Sequence, residues 1–301
     1  MGLDATSAMF LCAAKSLGVD FSETLMIGRQ SFWPGEPTLS RVFEVLRINA
    51  DAKTFLRDHK FAEEFFRLLG AKETQSLDAS PYENASILHD MNLPVPPSLH
   101  RKYSCVYDGG TIEHVFHITQ AFKNCMDLVK VGGHFMQVNV ANNFAGHGFW
   151  QFSPELIFRA LSPANGYEIA VVLMREVVPG GKWYAVSDPD ELRHRVELCN
   201  NQQTYILTIA KRVADVEIFK VPPQQSDYVA QWNRAEDEAT REIPQPSSWK
   251  RRVPEFLKRP MRRIRGALRG HPAGYLWFEH GFNPSSYRRI DEDSLLHGLF
   301  Q

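Results

Sequence analysis

The 301-residue chain has only four cysteines, Cys12, Cys105, Cys125 and Cys199, and no two of them form a CxxC pair. That spacing argues against a sequence-local zinc site and against a disulfide framework, and it reads as a chain for a reducing cytosol. No apolar run reaches the roughly 18 residues needed to span a bilayer. The first residues, Met-Gly-Leu-Asp, carry no basic stretch, and the apolar segment Ala8–Ala14 runs directly into Lys15. The expectation is therefore a cytoplasmic protein rather than a secreted one. A GxGxxG run after an early strand is also missing, which weakens a nicotinamide-dinucleotide reading. There is no internal repeat.

What is present is an ordinary globular balance, 44% hydrophobic and 23% charged. The net charge of −1 conceals an asymmetry. Nine basic residues and one acid, Glu255, fall between Lys250 and Arg269, a local charge of +8. The remainder holds 25 basic and 34 acidic side chains, or −9. An acidic body thus carries a basic segment over 250–269, in which Leu257, Met261, Ile264 and Leu268 fall at helical spacing. Such a stripe suits an anionic membrane surface. Docking on the acidic body suits it equally, and nucleic acid ranks lower. Prolines at 222, 223, 244, 246, 254 and 260 punctuate polar stretches. These divide the chain into a body over 1–221 and a C-terminal extension over 222–301.

Within the body, helical and strand patterns alternate. Residues 5–17 predict a helix ending at Gly18, and 23–28 a strand ending at Gly28. Residues 39–46 and 51–69 predict helices, and Glu73–Leu77 and Ala85–Leu88 short strands. Tyr103–Tyr107 predicts a buried strand broken by Asp108-Gly109-Gly110, and 113–128 a helix. The strand 134–140 precedes the loop NNFAGHGFWQF. A helix then opens at Ser153-Pro154-Glu155, and strands follow at 168–177 and 204–213. This alternation predicts an α/β fold, mostly parallel, with the last strands supplying an antiparallel edge.

Ligands of such sheets bind beyond the carboxyl ends of the strands. The residues found there are Gly28-Arg29-Gln30, Asp78-Ala79-Ser80, His89-Asp90-Met91-Asn92, Asp108-Gly109-Gly110-Thr111 and the stretch Asn139–Gln151. A carboxylate after the second strand suits a ribose diol. Glycine after the first lets backbone approach a ligand, and arginine there suits an anionic group. His114 follows Glu113 at a helix start, and His147 sits among glycines with Phe149, Trp150 and Gln151. His117 reads as packing or surface. No set of residues has metal-ligand spacing, so no metal is expected.

Four segments then carry a resemblance. YDGGTIEHV (107–115) is similar to the fourth motif of class I S-adenosylmethionine-dependent methyltransferases. DLVKVGGHFMQVNV (127–140) is similar to their fifth strand and the turn before it. LDASPYENA (77–85) and ILHDMN (87–92) resemble their second and third motifs. The resemblance spans about 22–213. It implies a Rossmann-like class I methyltransferase sheet with S-adenosylmethionine as cofactor. It implies cofactor contacts from Gly28, Arg29, Asp78, Ala79, Asp90, Met91, Asp108, Gly109 and Gly110. His114 and His147 are the expected catalytic pair, and Phe149, Trp150 and Gln151 the expected acceptor contacts. An oxygen acceptor requires a base near neutral pH, for which histidine is suited. The acceptor class is a small molecule, a glycan or a lipid-linked intermediate. One departure is plain: LMIGRQSF (25–32) has a single glycine where the family carries a glycine-rich loop. That departure favours the rival reading, a catalytically inactive scaffold that kept the fold.

Overall fold

The computed structural model describes residues 2–192, 195–240, 281–282 and 286–298. The basic segment 250–269, with the membrane attachment expected of it, lies outside the described residues.

The chain opens with β1 (Gly2–Leu3) and α1 (Ala5–Ser16). Asp4 caps α1: its carboxylate accepts the Ser7 N–H at 2.8 Å, satisfying a donor that the first turn leaves unpaired. Residues Thr6–Ala14 are all buried, which explains why this helix is apolar on every side. Next come β2 (Glu23–Ile27), β3 (Ser31–Phe32) and α2 (Glu36–Val45). The stretch predicted as one helix over 51–69 is two, α3 (Ala52–Asp58) and α4 (Glu63–Leu68). The break has a tertiary cause: Lys60 O accepts the Phe32 N–H at 2.8 Å and Gln30 O accepts the Ala62 N–H at 3.0 Å. The intervening residues are drawn alongside β3, and their backbone groups are satisfied there instead of in a helix.

The sheet continues with β4 (Glu73–Asp78), β5 (Ile87–Leu88) and β6 (Tyr103–Asp108). The single helix expected over 113–128 begins as a 3₁₀ turn at Ile112–His114 and resumes as α5 (Ile118–Leu128). Then follow β7 (Val129–Val140), α6 (Pro154–Ala160), β8 (Tyr167–Glu176) and β9 (Trp183–Val186). After α7 (Pro189–Leu192) come β10 (Leu198–Cys199), β11 (Thr204–Arg212) and α8 (Ser226–Thr240). The described tail adds β12 (Gly281–Phe282), β13 (Tyr287–Ile290) and α9 (Glu292–Leu296).

Nine strands form one sheet in the order β13-β9-β8-β11-β7-β6-β2-β4-β5. From β5 to β7 all neighbours are parallel. Counting those five strands alone in chain order, they stand 3-2-1-4-5, the doubly wound arrangement, with the switch point between β2 and β6. The architecture is thus α/β with a mostly parallel central sheet. One expectation is corrected: the antiparallel strand β11 is internal, pairing β7 on one side and β8 on the other. It is held there by Arg212, which is buried and donates to Val129 O at 2.8 Å and Met126 O at 3.1 Å. The sheet edge beyond β8 is built by β9 and β13, each antiparallel to its neighbour.

Part of the segment 222–301 therefore belongs to the body and is not appended to it. β13 is an edge strand of the main sheet, and α9 docks on α1, where Ser16 Oγ donates to Leu296 O at 3.1 Å. Two apolar layers flank the sheet. One packs α1 to α4 against residues such as Met26, Tyr107 and Leu207. The other packs α5 and α6 against Ile27, Val106, Phe135 and Ile206. Among the described residues, no helix is long and apolar enough to cross a membrane.

Candidate functional site

At the switch point, β2 and β6 end side by side, with Ile27 paired to Asp108. Gly28 has φ +70, and a Cβ on it would lie 2.6 Å from Thr111 Oγ1. A Cβ on Gly109 would lie 2.6 Å from Gln30 Oε1. Both glycines are therefore required because the protein's own side chains occupy the crevice. Thr111 Oγ1 donates to Ile27 O at 2.6 Å, and Gln30 Nε2 donates to the same oxygen at 2.8 Å. Gly110 has φ +84, which lets the chain turn from β6 into the following loop.

Arg29 does not face this crevice as a free cation. Its Nε donates to Glu63 Oε1 at 2.7 Å, its Nη1 donates to Glu83 O at 2.8 Å, and its guanidinium lies 3.9 Å from the centre of the Phe61 ring. These contacts fasten the β2 loop to α4 and to the loop after β4. The role expected for Arg29 at an anionic group is replaced by a structural one.

Along the adjoining edge, Asp78 ends β4, half-buried, with Oδ1 accepting the Ser80 N–H at 3.1 Å. Ala79 beside it is exposed. Asp90 is exposed, and Asn92 donates to its Oδ1 through the backbone at 2.9 Å and the side chain at 2.8 Å, which holds its pKa below the ordinary carboxylate value. Met91 is buried in the α5 layer, where Asn124 Nδ2 donates to its carbonyl at 3.1 Å. It is a core residue and presents no open face at the strand end.

The densest chemistry lies just past β6. Asp108 is fully buried; its Oδ1 accepts the N–H groups of Thr111 at 2.9 Å and Ile112 at 3.3 Å. Asn139, projecting from β7, donates through Nδ2 to Asp108 Oδ2 at 2.6 Å and to Glu113 Oε2 at 2.8 Å. Glu113 is only 1% exposed. Burial raises the pKa of both carboxyls, and the neighbouring Asp108 charge pushes Glu113 further in the same direction.

The other oxygen of Glu113 faces His147, with Oε1 to Nε2 at 3.7 Å. The His114 and His147 rings meet edge to face, their centroids 4.8 Å apart. Partial burial, and then the neighbouring His147, depress the His114 pKa. The loop that carries His147 is clamped to the 3₁₀ turn by main chain. Glu113 O accepts the N–H of Phe149 at 2.9 Å and of Trp150 at 3.2 Å, and Trp150 Nε1 donates to Val115 O at 3.0 Å.

Phe149 and Phe116 form an exposed edge-to-face pair, centroids 5.8 Å apart, beside the histidines. Gln151 turns back across its own loop, its Oε1 accepting the Phe144 N–H at 3.1 Å. It also lines an open cleft of about 660 Å³ beyond β7, with Asn142, Asn143, Cys199 and Asn200.

The structure thus gathers Gly28, Asp108, Gly109, Gly110, His114, His147, Phe149 and Trp150 around the ends of β2, β6 and β7. It spreads Asp78, Ala79 and Asp90 along the neighbouring strand ends. Sequence reading placed Asn139 at a strand end only as the first residue of the stretch Asn139–Gln151, missed Phe116 and passed over Glu113 as a helix-start acid. Its only signal for Glu113 was the adjacency to His114. For Asn139 the signal was its place at a strand end, which does not say that it bridges two carboxyl groups.

The cofactor that the motif resemblance implies is S-adenosylmethionine. Asp78 and Asp90 offer carboxylate oxygens at adjoining strand ends, of the kind that accept from a ribose diol. Gln30 Oε1 is buried without a protein partner. For an amino-acid half to enter, the Gln30 side chain must leave the crevice and give up its bond to Ile27 O. That bond is worth about 0.5–1.5 kcal/mol net. Micromolar binding releases about 8 kcal/mol. The loss is small on that scale, so Gln30 by itself does not exclude the group, and the Asp78 carboxylate suits its ribose diol.

No protein-family model matches the chain, and no similar chain is found among curated proteins. Among solved structures, an S-adenosylmethionine-dependent methyltransferase from Mesorhizobium loti aligns at 13% identity and TM-score 0.36, over 66% of this chain and 96% of that one. A branched-chain polyamine synthase from Thermus thermophilus, solved with N4-aminopropylspermidine and 5'-methylthioadenosine, aligns at 14% identity and TM-score 0.38, over 73% and 61%. Likenesses of this size leave the fold to rest on the strand order itself.

Proposed function

We propose that the chain is an S-adenosylmethionine-dependent methyltransferase acting at an oxygen of a small-molecule, glycan or lipid-linked acceptor. The observation that carries this reading is the convergence of Glu113, His114 and His147 beside the switch-point crevice. The four strand-end motifs support the cofactor. The internal antiparallel β11 sets the sheet apart from the all-parallel dinucleotide-binding order.

The cofactor, when bound, supplies a methyl group already activated on sulfonium. The protein's part is then alignment, exclusion of water and management of one proton. Asp78 would hold the cofactor's ribose diol. The exposed aromatic rim of Phe116, Phe149 and Trp150 offers flat apolar surface for the acceptor. His114 and His147 face the acceptor hydroxyl and promote loss of its proton, with Glu113 behind them.

A second reading, a cofactor-free scaffold, is favoured by one specific observation: Gln30 and Thr111 already fill the crevice. Calorimetric titration with S-adenosylmethionine and S-adenosylhomocysteine decides between them. Saturable binding of either supports the enzyme, and Asp78→Ala should then weaken it by ~1.5–3 kcal/mol, the range for a charge-assisted hydrogen bond. No heat from either compound at millimolar concentration supports the scaffold.

A further inference from the structure

We infer that Glu113, His114 and His147 form a binding site for one divalent transition-metal ion. One donor atom from each of the three lies within 4.8 Å of the other two. Metal–nitrogen and metal–oxygen bonds of about 2.0–2.2 Å place donors around a common ion roughly 3.0–3.5 Å apart. The Glu113 Oε1 to His147 Nε2 distance, 3.7 Å, is already close to that. His114 is exposed, its ring centroid 4.8 Å from that of His147, and it is the side chain that must draw closer for one ion to meet all three.

Three further features point to a cation. First, Glu113 is buried, and among the described residues its ion-pair partner is His147 and no lysine or arginine. A buried carboxylate is costly without a compensating charge, and a divalent ion supplies one. Second, Asn139 Nδ2 holds Glu113 Oε2 from behind and leaves Oε1 directed at the histidines. That is the outer-shell hydrogen bond that orients a carboxylate ligand, and Asn139 is itself fixed by Asp108 at 2.6 Å. Third, the two backbone clamps from Phe149 and Trp150 to Glu113 O fix the loop whose His147 must meet the ion, so the set is largely preorganised.

Two imidazoles and one carboxylate select Mn²⁺, Fe²⁺, Co²⁺ or Zn²⁺ over Mg²⁺ and Ca²⁺, which prefer all-oxygen shells. Three protein ligands leave coordination positions open on the solvent side, where His114 is exposed and His147 is half-buried. With the ion bound the two histidines are its ligands and no longer act on the hydroxyl directly; an acceptor oxygen on the ion instead loses its proton to water more readily, the ion acting as Lewis acid. This role rests on the methyl-transfer reading above; the site itself does not.

The test uses the full chain, stripped with chelator and titrated in the absence of S-adenosylmethionine. Co²⁺ is followed by its visible d–d bands, with Zn²⁺ as competitor and Mn²⁺ followed by electron paramagnetic resonance. The expected result is one equivalent bound, with His114→Ala and His147→Ala each weakening Co²⁺ affinity at least tenfold. His117→Ala, on the neighbouring surface, should leave affinity within twofold. Both histidine variants alter exposed or half-buried side chains, and melting curves check that they fold. The inference is overturned if no divalent ion binds saturably below millimolar concentration, or if binding survives unchanged in both variants. Metal bound without any cofactor heat retires the methyl-transfer reading alone, and the converse retires the metal site alone.

Discussion

Glu113 Oε1 and His147 Nε2 stand 3.7 Å apart, although one follows β6 and the other follows β7. Their meeting is produced by main chain: the Glu113 carbonyl takes two N–H groups from the His147 loop. The relationship is therefore sensitive to the backbone of that loop as much as to the two side chains.

Gly148 tests this directly. Its φ is +65, and a Cβ there would sit 2.8 Å from Glu113 O. Left-handed backbone costs a non-glycine residue ~1–2 kcal/mol, before the clash is relieved. Gly148→Ala should lower stability by ~1–3 kcal/mol. It should also speed amide exchange at Phe149 and Trp150, whose bonds to Glu113 O must lengthen. An unchanged melt with protected amides would show that the loop does not depend on this contact.

Asn139 serves two carboxyl groups with one amide nitrogen. Asn139→Leu keeps the volume and removes the donor, leaving two buried acids facing each other. Leaving a buried acceptor without its donor costs ~1–3 kcal/mol, more where the group is charged. Urea unfolding near neutral pH should show a loss of that order, well above a typical surface substitution. A loss below 1 kcal/mol would mean that the acids are satisfied some other way.

Arg29 separates structure from cofactor binding. With Glu63, the Glu83 carbonyl and the Phe61 ring as its partners, Arg29→Ala should cost ~1–2 kcal/mol of stability through lost half-exposed contacts. Affinity for S-adenosylmethionine should stay within twofold. A tenfold weakening in a folded variant would return Arg29 to the binding site.

The C-terminal helix carries a pH prediction. Asp291 caps α9, accepting the Ser294 N–H at 2.8 Å and its hydroxyl at 2.7 Å, and these bonds hold its pKa below the ordinary carboxylate value. A carboxyl depressed by folding stabilises fully above its unfolded pKa, and that contribution is lost as pH falls through the folded value. The amides of Leu295 and Leu296 should therefore lose exchange protection below about pH 4, with the order of protection elsewhere kept. Asp291→Ala should abolish the pH step. A step that persists in the variant would place its origin in another group.

Much of the sheet was legible in the sequence because strand ends are written locally. Gly28 and Asp108-Gly109-Gly110 each follow a short apolar run, and Asp78 follows the weaker strand pattern Glu73–Leu77. Those runs became β2, β4 and β6, and their order along the chain set the parallel core. Helix ends were legible where side chains cap them, as Ser153-Pro154-Glu155 did for α6. The split of 51–69 into α3 and α4 was not, because its cause is hydrogen bonding to β3 residues distant in the chain. Nor was the placement of β11 inside the sheet, since a strand's own pattern does not say which neighbours it will join.

The candidate site divides in the same way. The sequence by itself determined the residue types at the strand ends, the Glu113-His114 adjacency and the glycine-rich loop around His147. Tertiary structure alone decided that Asn139 bridges Asp108 and Glu113, that Arg29 is engaged by Glu63, and that Gln30 occupies the crevice. Each is a contact between side chains from different elements, fixed by sheet register and loop docking. Local propensity and periodicity carry no term for either, because both are settled only when the two apolar layers close on the sheet and bring its ends together.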